Sequence, residues 1–433
     1  MDRSETTLVL VLFILLSGNV IWAFLSKNRL TLFSPIIFIT LIFFIYTVAG
    51  PLVFLNNDLD IFPQNFIRPF FAKAWTGSII SMVCITLGYY IPIFKPQLHI
   101  RRNENFNIQK IFILGFILSC FGLFLYGLAN PGRVLAQINP LNVSYYQEER
   151  VLSGLPNYLS SSINFVIPGL CLMLLSIKKN IISIRNVIFY MILLISFFLF
   201  VSIGFRYRIL VLFISMVACY YLQKQRVPSI LISLAAIILG ILFIGIIGET
   251  RSYGSGLQLK RLVGTQSKDL LVYGFRDANI FPISGAVMSA VPSKVDYVGM
   301  DIIKNAIIFP IPRIILPNKD TDSYTRNPIK AYKKLKAVGA HRWAAMLFFA
   351  EWYIAFGWFG IIGISFLLGV AYKNLWNWVI HELHNPLKIV IYSVSLSLLY
   401  IFISRGYLPF TVMSFFFIVF PALLANKLYY IKF

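Results

Sequence analysis

Long apolar runs recur along this chain, and they constrain its fold more than any other feature. A helix needs about 20 mainly apolar residues to cross a hydrocarbon core about 30 Å thick. Such runs fall near residues 7–25, 35–55, 74–94, 109–129, 157–177, 186–203, 207–222, 228–248, 345–370, 388–403 and 407–426. The sequence therefore predicts an all-α, polytopic membrane helical bundle of about eleven spans.

Composition indicates the same class of protein. Charged residues make up 12% of the 433 residues, against about 25% in soluble globular proteins. The net charge of +22 fits cytoplasmic loops that collect Lys and Arg, so no nucleic-acid partner is predicted. The four cysteines all fall inside apolar runs, without the spacing of a disulfide framework or a zinc site.

One long interval, residues 249–342, interrupts the apolar runs. It carries fifteen of the 38 Lys and Arg residues. We therefore divide the chain into an N-terminal membrane bundle of about eight spans (1–248), an external loop domain with short helices (249–342) and a C-terminal membrane bundle of about three spans (343–433). Within the loop domain, residues 300–317 are apolar but interrupted by prolines, so this stretch either re-enters the membrane or packs on the bundle.

Basic residues are divided unevenly between alternate loops. With the long loop set aside, one set of loops carries fifteen and the other eight. Because cytoplasmic loops are enriched in Lys and Arg, the first set is assigned to the cytoplasm. The N-terminus and the long loop then face the exterior, together with Arg206, Arg208 and Arg405. Arginines in external loops run against the enrichment of basic residues in cytoplasmic loops, so a role other than setting the topology is indicated for them.

Two of these arginines are candidate ligands for a phosphate group. Arg206 and Arg208 lie two residues apart between the sixth and seventh predicted spans. A guanidinium group pairs with phosphate oxygens through a planar fork that an ammonium group lacks. A clamp on a diphosphate is one interpretation, and extension of both side chains to lipid headgroups is the other. Arg208 begins a span, where a charge is costly, and this favours the clamp.

Five more basic residues join the candidate substrate-binding set, and each has a structural alternative. Arg251 follows the eighth predicted span, either as a ligand or in a local ion pair. Arg276 lies among aromatic residues that suit contact with a sugar. Arg313 and Lys319 lie in a stretch whose prolines fix the backbone, which also suits a rigid turn with solvated charges. Arg405 lies between the last two spans.

The start of the ninth predicted span carries the candidate catalytic groups. Glu351 lies about two turns into this span, where a carboxylate is expensive unless it is paired or functional. It is our candidate general base, with His341 as the alternative, although a lone histidine is also common as an ordinary polar residue. Tyr353 is a candidate for stacking on a sugar ring.

No metal or cofactor is predicted. Two acidic pairs, Asp58 with Asp60 and Asp320 with Asp322, have the D-x-D spacing of metal-using glycosyltransferases. That pattern is short, and solvated loop carboxylates are the better interpretation. The sequence has no Cys/His cluster, phosphate-binding glycine loop or nucleophile elbow, so ATP-driven and serine-hydrolase chemistry are unsupported.

Three local motifs accompany this order of spans: Gly204-x-Arg206 with Arg208 opening a span, Pro312-Arg313…Pro317-x-Lys319, and Glu351-x-Tyr353…Phe356-Gly357-x-x-Gly360. With these motifs, and with eight spans before a long external loop and a few spans after it, the chain resembles the Wzy-type polymerases of bacterial O-antigen and capsular repeat units. The resemblance covers the whole chain in architecture.

The resemblance implies a GT-C-like integral-membrane glycosyltransferase, related to O-antigen ligases, in the bacterial inner (plasma) membrane with its long loop facing the periplasm or exterior. It implies an undecaprenyl-diphosphate-linked oligosaccharide as substrate. The growing chain would pass from its lipid diphosphate to a sugar hydroxyl on a newly delivered unit. Arginines, without a metal, would stabilise the departing diphosphate. A chain-length regulator and a flippase are further implied partners.

Three other functions stay open. A flippase or transporter of the same lipid-linked sugar predicts charges near the membrane midplane and internal repeats, and no repeat is visible in the sequence. A glycosyltransferase that uses a polyprenyl-monophosphate sugar would employ Asp58 and Asp60 and would depend on metal. A membrane acyltransferase requires an intramembrane histidine, and His341 lies too near the edge of its predicted span.

Overall fold

The computed structural model describes residues 3–26, 28–56, 67–91, 106–131, 155–177, 183–203, 206–252, 256–257, 272, 274–319, 324–325, 327–328, 331 and 345–431. The α-helices are α1 (Arg3–Leu25), α2 (Pro35–Phe43), α3 (Gly50–Asn56), α4 (Phe71–Tyr90), α5 (Ile108–Ala129), α6 (Leu155–Ser161), α7 (Val166–Leu174), α8 (Ile184–Ile203), α9 (Arg206–Gln223), α10 (Ile230–Thr250), α11 (Ile280–Ala290), α12 (Asp301–Ile308), α13 (Phe348–Ile380), α14 (Pro386–Arg405) and α15 (Leu408–Tyr429).

Shorter elements link several of these helices. A π-helical stretch, Phe44–Ala49, joins α2 to α3, and the 3-10 helix Ser162–Phe165 joins α6 to α7. Other 3-10 helices span Arg29–Phe33, Arg68–Phe70 and Phe275–Asn279. Two strands of two residues each, β1 (Arg251–Ser252) and β2 (Gly256–Leu257), pair antiparallel just after α10.

Nine helical stretches among the described residues are long and apolar enough to cross a membrane. They match the first six and the last three predicted spans, which confirms a multi-pass helical membrane protein. The seventh and eighth predicted spans are also helices, α9 and α10. Their described apolar stretches, Tyr207–Gln223 and Leu231–Ile247, have 17 residues at most. The total of eleven spans and the GT-C-like fold therefore stay predictions.

Helices α4 and α13 pack against each other through two glycines. A Cβ atom at Gly88 would lie 2.2 Å from the carbonyl oxygen of Phe366, and one at Gly369 would lie 2.2 Å from that of Ile85. Small residues at such crossings let two membrane helices approach closely, so dispersion contacts replace the hydrophobic driving force that lipid does not supply. This close crossing fixes α13 against α4 within the bundle.

Helix α13 is broken near its start. Gly357 has φ 64° and ψ −147°, a conformation available essentially only to glycine. The carbonyl groups of Ile354 and Ala355 lie next to this break. They accept hydrogen bonds from the backbone N–H groups of Val298 (2.9 Å) and Gly299 (3.1 Å) in the long segment. The segment thereby satisfies the backbone polar groups that a break in a membrane helix exposes.

The described part of the long segment lies at one end of the bundle. Ser284 Oγ of α11 accepts a hydrogen bond of 2.8 Å from the backbone N–H of Leu347, just before α13. Tyr158, in α6, donates from its hydroxyl to the carbonyl oxygen of Ile311 at 3.0 Å. The starts of α6 and α13 therefore share an end with the segment, as the predicted alternation of loops requires.

Part of this segment is buried among the bundle helices. Phe281 of α11 is fully buried, and its ring centroid lies 5.6 Å from those of both Phe71 and Trp75 at the start of α4. The division of the chain into three parts stays a prediction. The structure adds that α11 packs between α4 and α13, so this portion of the segment belongs to the apolar core.

Candidate active site

Glu351 lies in the first turn of α13 and is buried, with 1% of its surface exposed. The hydroxyl of Tyr324 donates a hydrogen bond to its Oε1 atom. The backbone N–H of Leu408, at the start of α15, donates to the same oxygen at 2.6 Å. Three separate parts of the chain therefore converge on one carboxyl group, which offsets part of the cost of burying it.

A row of aromatic side chains leads from this carboxyl group through Tyr324 to the long segment. The ring of Tyr407 lies 5.6 Å from that of Tyr324 and 6.0 Å from that of Phe309. Burial raises the pKa of Tyr324, and the adjacent Glu351 carboxylate raises it further. Tyr324 therefore keeps its proton and acts as a hydrogen-bond donor over the physiological pH range.

Two of the predicted arginines lie at the same end of the bundle as Glu351. Arg208 is buried, with 8% of its surface exposed, and its Nε donates to the hydroxyl of Tyr207 at 3.2 Å. The Tyr207 ring packs edge-on against Phe410, 5.6 Å away. Arg405 is half-buried at the end of α14, three residues before the amide that contacts Glu351. The start of α9 and the end of α14 thus bring two guanidinium groups to the Glu351 end.

Three other predicted arginines are described by their backbone positions. Arg206 is the first residue of α9, Arg251 begins β1, and Arg276 lies in the 3-10 helix Phe275–Asn279. Their side chains lie outside the described set, and so does the whole of His341. Their assignment to the diphosphate, and that of His341 to proton transfer, stay predictions.

Lys319 has local partners for its ammonium group. Its Nζ donates to the carbonyl oxygens of Phe309 (2.9 Å) and Ile311 (2.6 Å) and to the hydroxyl of Tyr158 (3.3 Å). An ammonium group has three N–H donors, so these contacts engage all of them. Arg313 is exposed on the same loop. Lys319 therefore closes the loop in this structure, and its role as a substrate ligand stays a prediction.

Tyr353 packs inside the protein in this structure. It is buried, with the ring of Trp358 edge-on at 5.0 Å. The ammonium group of Lys73 lies 4.8 Å from the centre of the Tyr353 ring and donates to the carbonyl oxygen of Met288 at 2.6 Å. The tyrosine thus links α4, α13 and the long segment, and the predicted stacking on sugar stays a prediction.

The two acidic pairs considered for a metal site lie in loops outside the described residues. Asp58, Asp60, Asp320 and Asp322 all lie there. Within the described ranges, no three His, Cys, Asp or Glu side chains come together as a metal site.

A cavity of about 330 Å³ lies far from Glu351. Its lining includes Ser176, just after α7, Gln223 and Gln225, at and just after the end of α9, and His384, just before α14. These are the helix ends opposite to the one that carries Glu351. The cavity therefore does not belong to the candidate active site.

Sequence reasoning found Glu351 but missed the groups that hold it. Tyr324 lies in a polar stretch without periodicity, and the contact from Leu408 comes from its backbone amide. Neither group has a local sequence signal, because the Tyr324 hydroxyl and the Leu408 amide reach Glu351 only when the long segment and α15 pack against α13.

The fold and this buried carboxyl group together define a polytopic helical membrane protein with a polar site at one end of its bundle. Comparisons with protein-family models, with curated proteins and with solved structures gave no match.

Proposed function

We propose that this protein is a membrane glycosyltransferase that polymerises undecaprenyl-diphosphate-linked oligosaccharide repeat units into O-antigen or capsular polysaccharide. It would act in the bacterial inner membrane, with the Glu351 end of the bundle facing the periplasm or exterior. The growing chain is the donor, and a newly delivered lipid-linked unit is the acceptor.

The observation that carries this proposal is the buried Glu351 carboxyl group at the end of a membrane helix. A carboxylate in such a place is expensive and is a functional-site hypothesis by default. Tyr324 and the Leu408 amide both hold Oε1, so the group is oriented before any substrate arrives. Arg208 and Arg405, at the same end, supply positive charge for a diphosphate.

The proposed reaction is a displacement at the anomeric carbon of the donor chain. A hydroxyl oxygen of the acceptor sugar forms the new bond to that carbon. The bond from the carbon to the lipid diphosphate breaks, and the diphosphate leaves with the electron pair. Glu351 takes the proton of the acceptor hydroxyl, a step that contributes about 10²–10⁴-fold to rates in enzymes. Guanidinium groups stabilise the negative charge that develops on the leaving diphosphate.

A gene deletion in the source bacterium tests this function. The proposal predicts loss of long polymer and accumulation of single lipid-linked repeats that have already reached the external side of the membrane. Repeats that accumulate only on the cytoplasmic side would instead identify a flippase. An activity that is abolished by a chelator and restored by a divalent metal would favour the glycosyltransferase that uses a polyprenyl-monophosphate sugar.

A further inference from the structure

A loop rich in proline, residues 309–319, carries the two most exposed large apolar side chains in the described part of the long segment. We call it the proline loop. Ile314 and Ile315 are 75% and 72% exposed, and Ile307, in the last turn of the preceding helix α12, is 66% exposed. Three large apolar side chains thus lie uncovered within the apolar, proline-interrupted stretch 300–317. Exposed apolar clusters of this kind mark interaction surfaces.

Helix α12 shows a polar-to-apolar gradient along its exposed face. Asp301 and Lys304 form an ion pair of 3.4 Å on that face near the start of the helix. Ile307 follows one turn later on the same face. The opposite face, with Ile302 and Ala306, is buried, and the helix packs against the membrane-spanning α15. The exposed face therefore turns apolar towards the proline loop, beside the membrane-spanning helix α15.

The backbone of the proline loop is suited to an apolar medium. Three of its eleven residues are prolines, which have no N–H group to satisfy. The N–H groups of Ile315 and Leu316 both donate to the carbonyl of Pro312, at 2.9 and 3.0 Å. A loop that enters hydrocarbon must satisfy its backbone polar groups internally, and the N–H groups of Phe309, Ile311 and Lys319 also donate to backbone carbonyls.

The two carbonyl groups nearest the base of the loop are capped by side chains. Lys319 Nζ donates to the carbonyl oxygens of Phe309 and Ile311, and the Tyr158 hydroxyl contacts the same two oxygens at 3.2 and 3.0 Å. These contacts tie the loop to α6. The loop is therefore a closed unit anchored on the bundle, with its isoleucines directed away from the protein.

We propose that the proline loop inserts into the lipid leaflet at the Glu351 end of the bundle, where acyl chains cover Ile307, Ile314 and Ile315. Three observations favour lipid over a protein partner. The apolar surface lies beside the membrane-spanning helix α15, and most residues of the loop either lack an N–H group or donate it to a backbone carbonyl. The exposed Arg313 lies beside the isoleucines, where its guanidinium group can reach headgroup phosphates. Segments that lie in this way are buried about 5–10 Å into the headgroup boundary.

This inference does not depend on the proposed reaction. It does place a lipid-embedded element next to the candidate active site, since Phe309 at the base of the loop contacts Tyr407, and Tyr407 contacts Tyr324. A membrane-inserted loop here would connect the lipid phase directly to the aromatic residues around Glu351.

Site-directed spin labelling of the full chain in phospholipid vesicles tests the proposal. Cys84 and Cys120, which are partly exposed, are replaced by Ala, whereas Cys171 and Cys219 are buried and stay in place. Ile314→Cys and Ile315→Cys then carry the label one at a time. Phe359→Cys, at an 86% exposed position of the spanning helix α13, is the lipid control. Lys294→Cys, in an exposed polar turn of the same segment, is the water control.

For each label, we compare the relaxation caused by oxygen with that caused by a water-soluble nickel chelate. The proposal predicts a ratio of oxygen to nickel relaxation at positions 314 and 315 that is several-fold above the ratio at Lys294 and close to the ratio at Phe359. A ratio at both positions equal to that at Lys294 would overturn the proposal. Ile307→Cys provides a third position, outside the proline loop, in case a label within the loop disturbs the loop's structure. We expect the ratio of oxygen to nickel relaxation at this position to be close to that at Phe359. A water-like ratio there, with folded protein, would equally count against insertion.

Discussion

The hydroxyl of Tyr324, in the long segment, donates a hydrogen bond to the carboxyl group of Glu351, in the first turn of the membrane helix α13. The two residues are 27 positions apart in the chain, and both are buried. The hydrogen bond joins the segment to the membrane bundle at the point where we place the chemistry. Tyr324 is a positioning residue in this account, because it acts through Glu351.

Loss of the Tyr324 hydroxyl should destabilise the folded protein. A hydrogen bond to a buried charged group contributes about 1.5–3 kcal/mol to stability. We expect Tyr324→Phe in detergent to have a lower Tm than the wild type. Tyr190→Phe, which removes a hydroxyl from a half-exposed position on α8, is the matched control and should leave Tm unchanged. Equal Tm values for Tyr324→Phe and the wild type would show that the contact does not stabilise the fold.

Tyr324 should also make stability fall at alkaline pH. Its pKa in the folded protein is raised above the ordinary value, because burial and Glu351 both disfavour the phenolate. Above about pH 10, where an exposed tyrosine loses its proton, the unfolded chain then binds fewer protons than the folded one, so stability falls as pH rises. We expect the Tm of the wild type to fall more steeply between about pH 9 and pH 11 than that of Tyr324→Phe. Parallel curves would contradict the assignment.

The break in α13 should depend on Gly357. An alanine there would hold a conformation with φ 64° that L-residues rarely adopt, and its Cβ would lie 3.1 Å from the Tyr297 hydroxyl oxygen. Such strain costs about 1–3 kcal/mol. Gly357→Ala should therefore lower Tm and the yield of folded protein. Gly363→Ala, on the same helix with open space around it, is the control. Similar Tm values for the two variants would mean that the break is not required.

Arg208 should support elongation through its guanidinium group. Removal of one well-placed donor to a developing anion costs about 10²–10³-fold in rate in enzymes. We expect Arg208→Ala, and to a smaller extent Arg208→Lys, to shorten polymer chains severely in a complemented deletion strain, with protein levels checked by immunoblot. Arg226→Ala, just beyond the opposite end of α9 at an exposed position, should support normal polymer. Wild-type chain lengths with Arg208→Ala would remove this residue from the mechanism.

The membrane spans could be predicted because hydropathy is a local property of the sequence. An apolar run of about 20 residues is long enough by itself to require a helix across a bilayer, and nine of the eleven predicted spans meet the criterion of length and hydropathy in the described residues. The break in α13 could not be located in this way. It depends on the N–H groups of Val298 and Gly299, which lie more than fifty residues upstream and meet α13 only in the folded bundle.

Part of the candidate site could be predicted, because a charged side chain inside a membrane span has a high free-energy cost and is usually functional. Glu351 was identifiable because a carboxylate inside an apolar run is unusual. Lys319 illustrates the limit of such reasoning. Its neighbouring prolines predicted a rigid loop, but the sequence did not show that the carbonyl groups of Phe309 and Ile311 would engage its ammonium group. A charged residue in a loop can be assigned as a substrate ligand only when its contacts within the protein are known.

The most direct test of the account is an elongation assay with purified protein in vesicles and an undecaprenyl-diphosphate oligosaccharide, comparing the wild type with Glu351→Gln. Glutamine keeps an oxygen acceptor for Tyr324 and Leu408 but cannot take up the proton, so Tm should stay close to that of the wild type. The account predicts a ladder of products with the wild type and a loss of about 10²-fold or more with the variant. A full ladder from Glu351→Gln, or no elongation by the folded wild type, would contradict it.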